Sequence, residues 1–379
     1  MTSTICAIMT TYNRGSMIRG SIDAILAQSR RIDQIIIVND GSTDDTEQVV
    51  KSYGDRVTLV TKKNGGKASG LNAGLAHCTA DYVWFCDDDD YTAPDGVEAL
   101  AKILDDNPSI DIAMGKYIIF REENGKKTFT DHGYLGRTEE PNLKILFLEH
   151  MITALSAMLV RNSLYAKTGL FSYDVGLSDD YHMILRLLRN TKAVYVPKVI
   201  YYYRRHEGPR GNDIPVIGDN QKVFNQVRKN YGLDEFTPTF ALAWNEPRRR
   251  RAALCERACV MARRALWHEA VEDFRQAAQL DAGPLSVEEL SLIQTAIYVP
   301  EPYTLLSRNA ALIAEMRAFS ALNNVSYSIA QACLGPLMWN TRRALSQGNF
   351  GKGFELMRQL FSIAGFRGAC ARIMSSIIK

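Results

Sequence analysis

Short apolar runs alternate with amphipathic segments through the first ninety residues. Thr4 to Thr10 (TICAIMT) has the make-up of a buried strand. Thr11-Tyr12-Asn13-Arg14 leaves it as a polar loop. Met17, Ile18, Ile22, Ile25 and Leu26 then recur at helical spacing up to Gln28. Asp33 to Val38 is a second strand, ended by Asn39-Asp40-Gly41-Ser42. Asp44 to Glu47 open a helix reaching about Tyr53. Val57 to Val60 is a third strand, Asn64 to Lys67 a loop, and Ala68 to His77 a helix. Tyr82 to Cys86 (YVWFC) is a fourth strand. This β-α-β-α-β-α-β order predicts an α/β fold, a mostly parallel sheet with helices on both faces.

Further on, the pattern becomes mixed. Val97 to Leu104 is helical, and Ile110 to Phe120 alternates as strands do. Glu122 to Lys126 is a hairpin tip. Asn142 to Glu149 and Asn162 to Thr168 are helical, the latter closed by Gly169. Ser178-Asp179-Asp180 starts a helix running through Leu188. Ala193 to Tyr203 is a strand broken by Pro197. From about Ala241 helical periodicity dominates, with breaks near Gly283-Pro284, Pro300 to Pro302 and Gly335-Pro336. The chain therefore divides into an α/β domain, 1–238, and an all-α C-terminal region, 239–379. Arg248 to Arg251 is expected as a solvated helix start. Ala262 to Ala270 and Thr341 to Phe350 have the flavour of packed helical hairpins, but two copies without a clear period make no repeat array.

Composition narrows the function classes. Of 379 residues, 46% are hydrophobic, enough for a sizeable core. The net charge of +3 argues against a dedicated nucleic-acid binder. From Ala241 onward there are 17 Lys/Arg and 11 Asp/Glu, which leaves 28 and 31 before it. The front is thus −3 and the tail +6. Seven scattered cysteines suit reduced thiols rather than a disulfide framework. The first residues lack the charged and apolar regions of a secretory signal, and no run of about 18 apolar residues occurs. The expectation is a cytoplasmic protein, touching the inner face of the membrane at most peripherally. The basic, amphipathic segment from Phe354 to Lys379 suits either an anionic membrane or helix packing, within the chain or across a homodimer.

The chemistry concentrates at one strand end. Tyr82 to Cys86 runs straight into Asp87, Asp88, Asp89 and Asp90. Four adjacent carboxylates repel, and hard oxygens there suit Mg²⁺ or Mn²⁺ shared with a diphosphate. In open α/β sheets, ligands sit outside the carboxyl ends of strands. Gly65-Gly66-Lys67 lacks the spacing of a Walker loop, yet a lysine entering a helix N-terminus suits a phosphate. Asp179 and Asp180 form a second acidic pair far downstream, where they also complement a helix dipole.

With these pieces in order, the chain resembles the family 2 glycosyltransferases of GT-A fold over roughly Ile5 to His206. The resemblance rests on Thr11 to Arg14, Ile37 to Asp44, Asn64 to Lys67 with Asn72 to Gly74, Asp87 to Asp90, and Ser178 to Asp180. It implies that Thr10, Thr11, Tyr12 and Asn13 line the nucleotide and that Asp40 accepts a hydrogen bond from its base. It implies that Lys67, Asp87, Asp88 and Arg204 serve the nucleotide diphosphate and its sugar. Asp89, Asp87 and His206 are the implied metal ligands, with Mn²⁺ or Mg²⁺ as cofactor. Asp180 is the implied general base, with Asp179 beside it where the family usually has Glu. The implied activity is inverting, metal-dependent transfer of a sugar, UDP-sugar favoured, to a glycan or lipid-linked hydroxyl in cell-envelope polysaccharide synthesis. A peptide acceptor and a non-catalytic nucleotide-sugar scaffold are the alternatives. A nucleotidyltransferase would need a Gly-rich, basic triphosphate loop that Thr10 to Arg14 does not supply.

Overall fold

The computed structural model describes residues 2–123, 126–131, 141–149, 151–205, 217–281, 283–296, 306–307 and 309–364. It separates into two compact units, Met1–Tyr134 with Met151–Asp219, and Leu135–His150 with Asn220–Lys379. The periodicity alone puts the division at 238/239. Contacts instead assign the segment before Met151 and most of the helix after Ile217 to the second unit.

In the first unit, β1 (Ile5–Thr11), α1 (Gly15–Leu26), β2 (Gln34–Asn39), α2 (Thr46–Lys51), β3 (Thr58–Thr61), α3 (Lys67–His77) and β4 (Tyr82–Cys86) follow the expected alternation. β5 (Tyr91–Thr92), α4 (Gly96–Asp106), β6 (Ile112–Glu123), β7 (Lys126–Asp131), β8 (Met158–Arg161), α6 (Asn162–Thr168), α7 (Asp179–Leu187) and β9 (Ala193–Arg205) complete it. α5 (Leu143–Glu149) belongs to the second unit. The sheet order is β3-β2-β1-β4-β8-β6-β9-β5, with β7 paired to β6. β1, β2, β3 and β4 are parallel, whereas β8 runs antiparallel to both β4 and β6.

β1 lies between β2 and β4, where strand order reverses. Its apolar side chains are buried on both faces, as a central parallel strand requires. Met9 is level with Cys86, and Thr11 with Asn39. The residues after each strand, Asp40 and Asp87, therefore emerge at one edge beside Thr10 and Thr11. A reversal of this kind opens a crevice at the strand ends.

Two glycines set how α3 meets that edge. A Cβ on Gly74 would stand 2.3 Å from Ile8 Cγ2, so only glycine lets the helix lie this close to β1. Gly66, with φ +82°, turns the chain into the helix. Pro197 does not interrupt β9. The β6–β9 register slips between Gly115 and Tyr117, and the proline sits in that irregularity, where no ladder N–H is needed.

The second unit contains α5, most of α8 (Ile217–Asn230), α9 (Glu246–Arg263), α10 (Trp267–Leu280), α11 (Val287–Ala296), α12 (Ala310–Ser320), α13 (Asn324–Cys333), α14 (Gly335–Ser346) and α15 (Phe350–Ala364). Asn245 caps α9, and its side chain accepts from Arg248 N. The basic run there is not wholly solvated. Arg251 is fully buried, because a helix repeat brings it to the inner face four residues before Cys255. Its guanidinium donates to both oxygens of Glu289 at 2.8 Å and to the carbonyls of Asp281, Gly283 and Pro284.

Candidate active site

The strand ends of the first unit line a cleft of about 760 Å³, within the range of small-molecule sites. Thr10, Thr11, Tyr12, Asn13, Arg14, Asp40, Lys67, Asp87 to Asp90, Asp180, Tyr201 and Arg205 all border it. Residues far apart in sequence are thus gathered at one edge. Asn13 adopts φ 53°, which asparagine tolerates. In that conformation its Oδ1 accepts from Thr43 N at 2.8 Å, and its own N–H donates to Ser42 Oγ at 3.0 Å.

Asp40 is buried and heavily bonded. It accepts from Lys62 Nζ at 2.6 Å, from Gly65 N at 3.0 Å and from Gly66 N at 2.8 Å. In this state it shapes the loop that leads into α3, while still bordering the cleft. That loop delivers Lys67 as the first residue of α3. Lys67 Nζ donates to Asp87 Oδ1 at 3.0 Å and to Asp180 Oδ2 at 2.8 Å. One ammonium therefore joins the tip of β4 to the start of α7. Burial alone would lower the lysine's pKa, but Asp180 and Asp87 outweigh it and hold it well above the usual value.

The four aspartates have distinct surroundings. Burial would raise Asp87, yet Lys67 and the hydroxyls of Ser156 and Tyr201 hold it at about 2. Ser156 Oγ donates to its Oδ2 at 2.5 Å and Tyr201 at 2.8 Å. Ser156 is itself placed by Trp84, whose Nε1 donates to its carbonyl at 2.9 Å. Asp88 is pushed up to about 7, by burial and then by the charge of Asp89. Asp89 lies 3.3 Å from the Arg14 guanidinium. Asp90 is turned inward, where its carboxylate meets Tyr201 and accepts from Arg204 N at 2.5 Å. Burial, then Asp89 and Asp87, push its carboxyl well up.

At the other wall, Asp179 and Asp180 part company. Asp179 Oδ1 accepts from Asp180 N at 2.9 Å, and Asp179 is not among the cleft-lining residues. Asp180 faces the cleft. Its pKa is raised to about 6, first by burial, against the pull of Lys67 and with added push from Asp179 and Asp87. Its Oδ2 is held by Lys67, whereas Oδ1 is buried with no hydrogen-bond partner. Asn72, one turn beyond Lys67 on α3, braces this wall. Its amide bonds the carbonyl and N–H of Phe171 at 3.0 and 2.8 Å and the Tyr173 hydroxyl at 3.0 Å.

Some expected residues sit elsewhere. Arg204 points away from the cleft: its guanidinium lies 4.7 Å from the Tyr91 ring centre and 3.7 Å from Glu122. Strand alternation places Tyr201, Tyr203 and Arg205 on the cleft side instead. Tyr201, Arg205, Ser156 and Arg14 are cleft or support residues that periodicity did not single out. The alternation within β9 carried a signal for Tyr201 and Arg205; nothing in the periodicity marked Ser156 or Arg14. His206 and the tip of the β6–β7 hairpin lie outside the described residues.

The cleft fits a divalent cation in part. Asp88 and Asp89 are adjacent hard-oxygen donors, and the upward push of one by the other is a strain that a cation relieves. Asp87 is already bonded through both oxygens. Among the described residues no group of three His, Cys, Asp or Glu is arranged to hold a metal. One or two carboxylates with the remaining positions left to water and phosphate is a usual arrangement for Mg²⁺.

Known proteins share this architecture. Residues 6–167 match the sequence profile of Glycosyl transferase family 2. An uncharacterized glycosyltransferase of Rickettsia typhi is 29% identical over 210 residues, 55% of this chain and 66% of that protein. The chain therefore spans just under two thirds of that relative's length. S. aureus TarS 1-349, solved in complex with UDP-GlcNAc, superposes with a TM-score of 0.54 at 16% identity, over 91% of this chain and 92% of that one. The mannosyltransferase PcManGT of Pyrobaculum calidifontis, solved with GDP-Man and Mn²⁺, gives 0.51 at 18% identity over 88% of each chain. At such identities the likeness is one of fold. With the profile match over residues 6–167 and the strand-end cleft, this chain is similar to the family 2 glycosyltransferases, has a GT-A-like fold, and carries a helical extension after that region.

Proposed function

We propose that the chain transfers a sugar from a nucleotide-diphosphate donor to an acceptor hydroxyl with inversion, using Asp180 as general base. The observation that carries this reading is Asp180 Oδ1, a buried acceptor atom without a partner in a cleft that also holds the four-aspartate strand end. An unpaired buried acceptor is costly, and an incoming hydroxyl would satisfy it.

Thr10 to Asn13 bind the nucleoside side of the donor. Arg14, Lys67 and Arg205 supply positive charge along the cleft wall. A divalent cation, when bound, adds charge against the leaving diphosphate, and Asp88 and Asp89 would hold it. Asp180 Oδ1 takes the hydroxyl proton as the acceptor oxygen bonds to the anomeric carbon. The carbon–oxygen bond to the diphosphate breaks on the opposite face, and its electron pair leaves with the phosphate. A pKa near 6 leaves Asp180 mostly ionised at neutral pH yet more basic than an ordinary aspartate. UDP-sugars are the first donors to test, because the TarS structure holds UDP-GlcNAc. A glycan or lipid-linked hydroxyl is the proposed acceptor.

The test combines thermal shift with donor turnover. UDP should stabilise the protein in a Mn²⁺-dependent manner, and Asp89→Ala should remove that dependence. Asp180→Asn should keep the shift while UDP release from the donor, with water standing in as acceptor, stops. Loss of the UDP shift in Asp180→Asn would remove it from the role of base.

A further inference from the structure

The basic excess of the helical part is confined to its last stretch. Residues 241–334 hold ten Lys/Arg and ten Asp/Glu, whereas 335–379 hold seven and one. The described part of that stretch is the α14–α15 hairpin. Each of its helices buries one stripe: Leu337, Thr341 and Ala344 on α14, and Gly353, Leu356 and Leu360 on α15. The opposite stripes combine aromatic rings with cations. On α14, Trp339 is 57% exposed, and the Arg343 guanidinium lies 5.2 Å from its ring centre. Arg342 shares that side by helical spacing. On α15, Phe350, Phe354 and Arg358 follow one another at four-residue steps, with the rings 60% and 63% exposed. The one acid, Glu355, lies 3.6 Å from Lys352.

Three aromatic side chains mostly in water, in a stretch with seven cations and one acid, form an unusual solvated face. An anionic lipid surface takes both groups together: rings settle at the headgroup boundary and cations meet the phosphates. A second copy of the same face is disfavoured, since it would set cations against cations where seven Lys/Arg stand against one acid. Here Trp339 and Phe354 each have an arginine one turn on, Arg343 and Arg358, so that long basic side chains can reach the headgroups as the rings sink. Among the described residues no helix is long and apolar enough to cross a membrane. We propose that the aromatic and basic stripes of the α14–α15 hairpin dock this protein on an anionic lipid surface. The proposal does not depend on the transfer reaction, and it would bring the enzyme to lipid-linked acceptors.

Sedimentation of the full chain with vesicles tests it. Binding is expected to phosphatidylcholine vesicles containing phosphatidylglycerol, with little to phosphatidylcholine alone, and to weaken as salt is raised. Arg342→Gln with Arg343→Gln should lower partitioning about twenty- to thirtyfold, at about 1 kcal/mol per cation near such a surface. Trp339→Ser with Phe354→Ser should lower it about tenfold at any salt, while Trp339→Phe should keep it. All four positions are solvent-facing, and unchanged circular dichroism would confirm intact folding. Equal binding to both vesicle types, no binding, or no loss in the arginine variant would overturn the proposal. So would a dimer by light scattering that Trp339→Ser with Phe354→Ser makes monomeric, since the face would then belong to a second copy.

Discussion

Each unit holds a cluster of charge, one fully buried and one partly open, and the two clusters are built differently. In the second unit Arg251 meets Glu289 through two 2.8 Å bonds, and three backbone carbonyls take its remaining protons. Glu289 also closes a capping box with Ser286 at the start of α11. Charge and hydrogen bonding are both satisfied. In the first unit Lys67 serves two carboxylates at once, Asp88 is pressed up by Asp89, and Asp180 keeps one oxygen unpaired. The first arrangement is a staple, and the second is a site awaiting partners. The two differ in burial, the Arg251–Glu289 pair being fully enclosed and Lys67, Asp87 and Asp180 each about a quarter exposed, and they differ in completeness.

The sharpest way to break this comparison is Asp180→Asn. Donor turnover should fall by about 10³- to 10⁴-fold, while the melting temperature should hold or rise, because an excess buried charge is removed. Glu289→Ala should do the reverse. It leaves buried Arg251 with only the partly exposed Asp281 carboxylate, 3.4 Å away, as counter-charge, and should cost about 3 kcal/mol in urea unfolding. Replacing both partners, Arg251→Met with Glu289→Met, should recover most of that loss; a double variant no more stable than the single would contradict the staple reading.

Next in size is the pH dependence. As the proposed base, Asp180 would work only when ionised, so kcat/KM should rise with pH through about 6 and fall about tenfold per unit below it. Lys67→Met removes the charge that favours the ionised form, so the limb should move to higher pH. An unchanged limb would mean that Lys67 acts on the diphosphate alone. The smallest effect is expected from Gly74→Ala. The new methyl group meets Ile8, costing about 1–3 kcal/mol, and α3 with Lys67 should shift slightly.

Much of the first unit was legible in the chain. Tyr82 to Cys86 is five buried residues followed at once by four acids, and no solvated helix has that form. The alternation up to β4 was equally plain, since local periodicity reports local structure. The proline in β9 misled, because the irregularity that accommodates it lies in the pairing with β6. Arg248 to Arg251 misled for a related reason: composition reads four cations as solvated, but helical rotation turns one of them inward.

The sequence by itself determined the order of strands and helices, the acidic strand end and the second acidic pair, because spacing and polarity are properties of a stretch of chain. Only the tertiary structure decided that Asp180 rather than Asp179 faces the cleft, that Arg205 rather than Arg204 lines it, and that Lys67 reaches across to both walls. Those choices depend on where distant elements meet, and neighbouring residues of the same type carry no mark of it until the sheet register and helix packing set their directions.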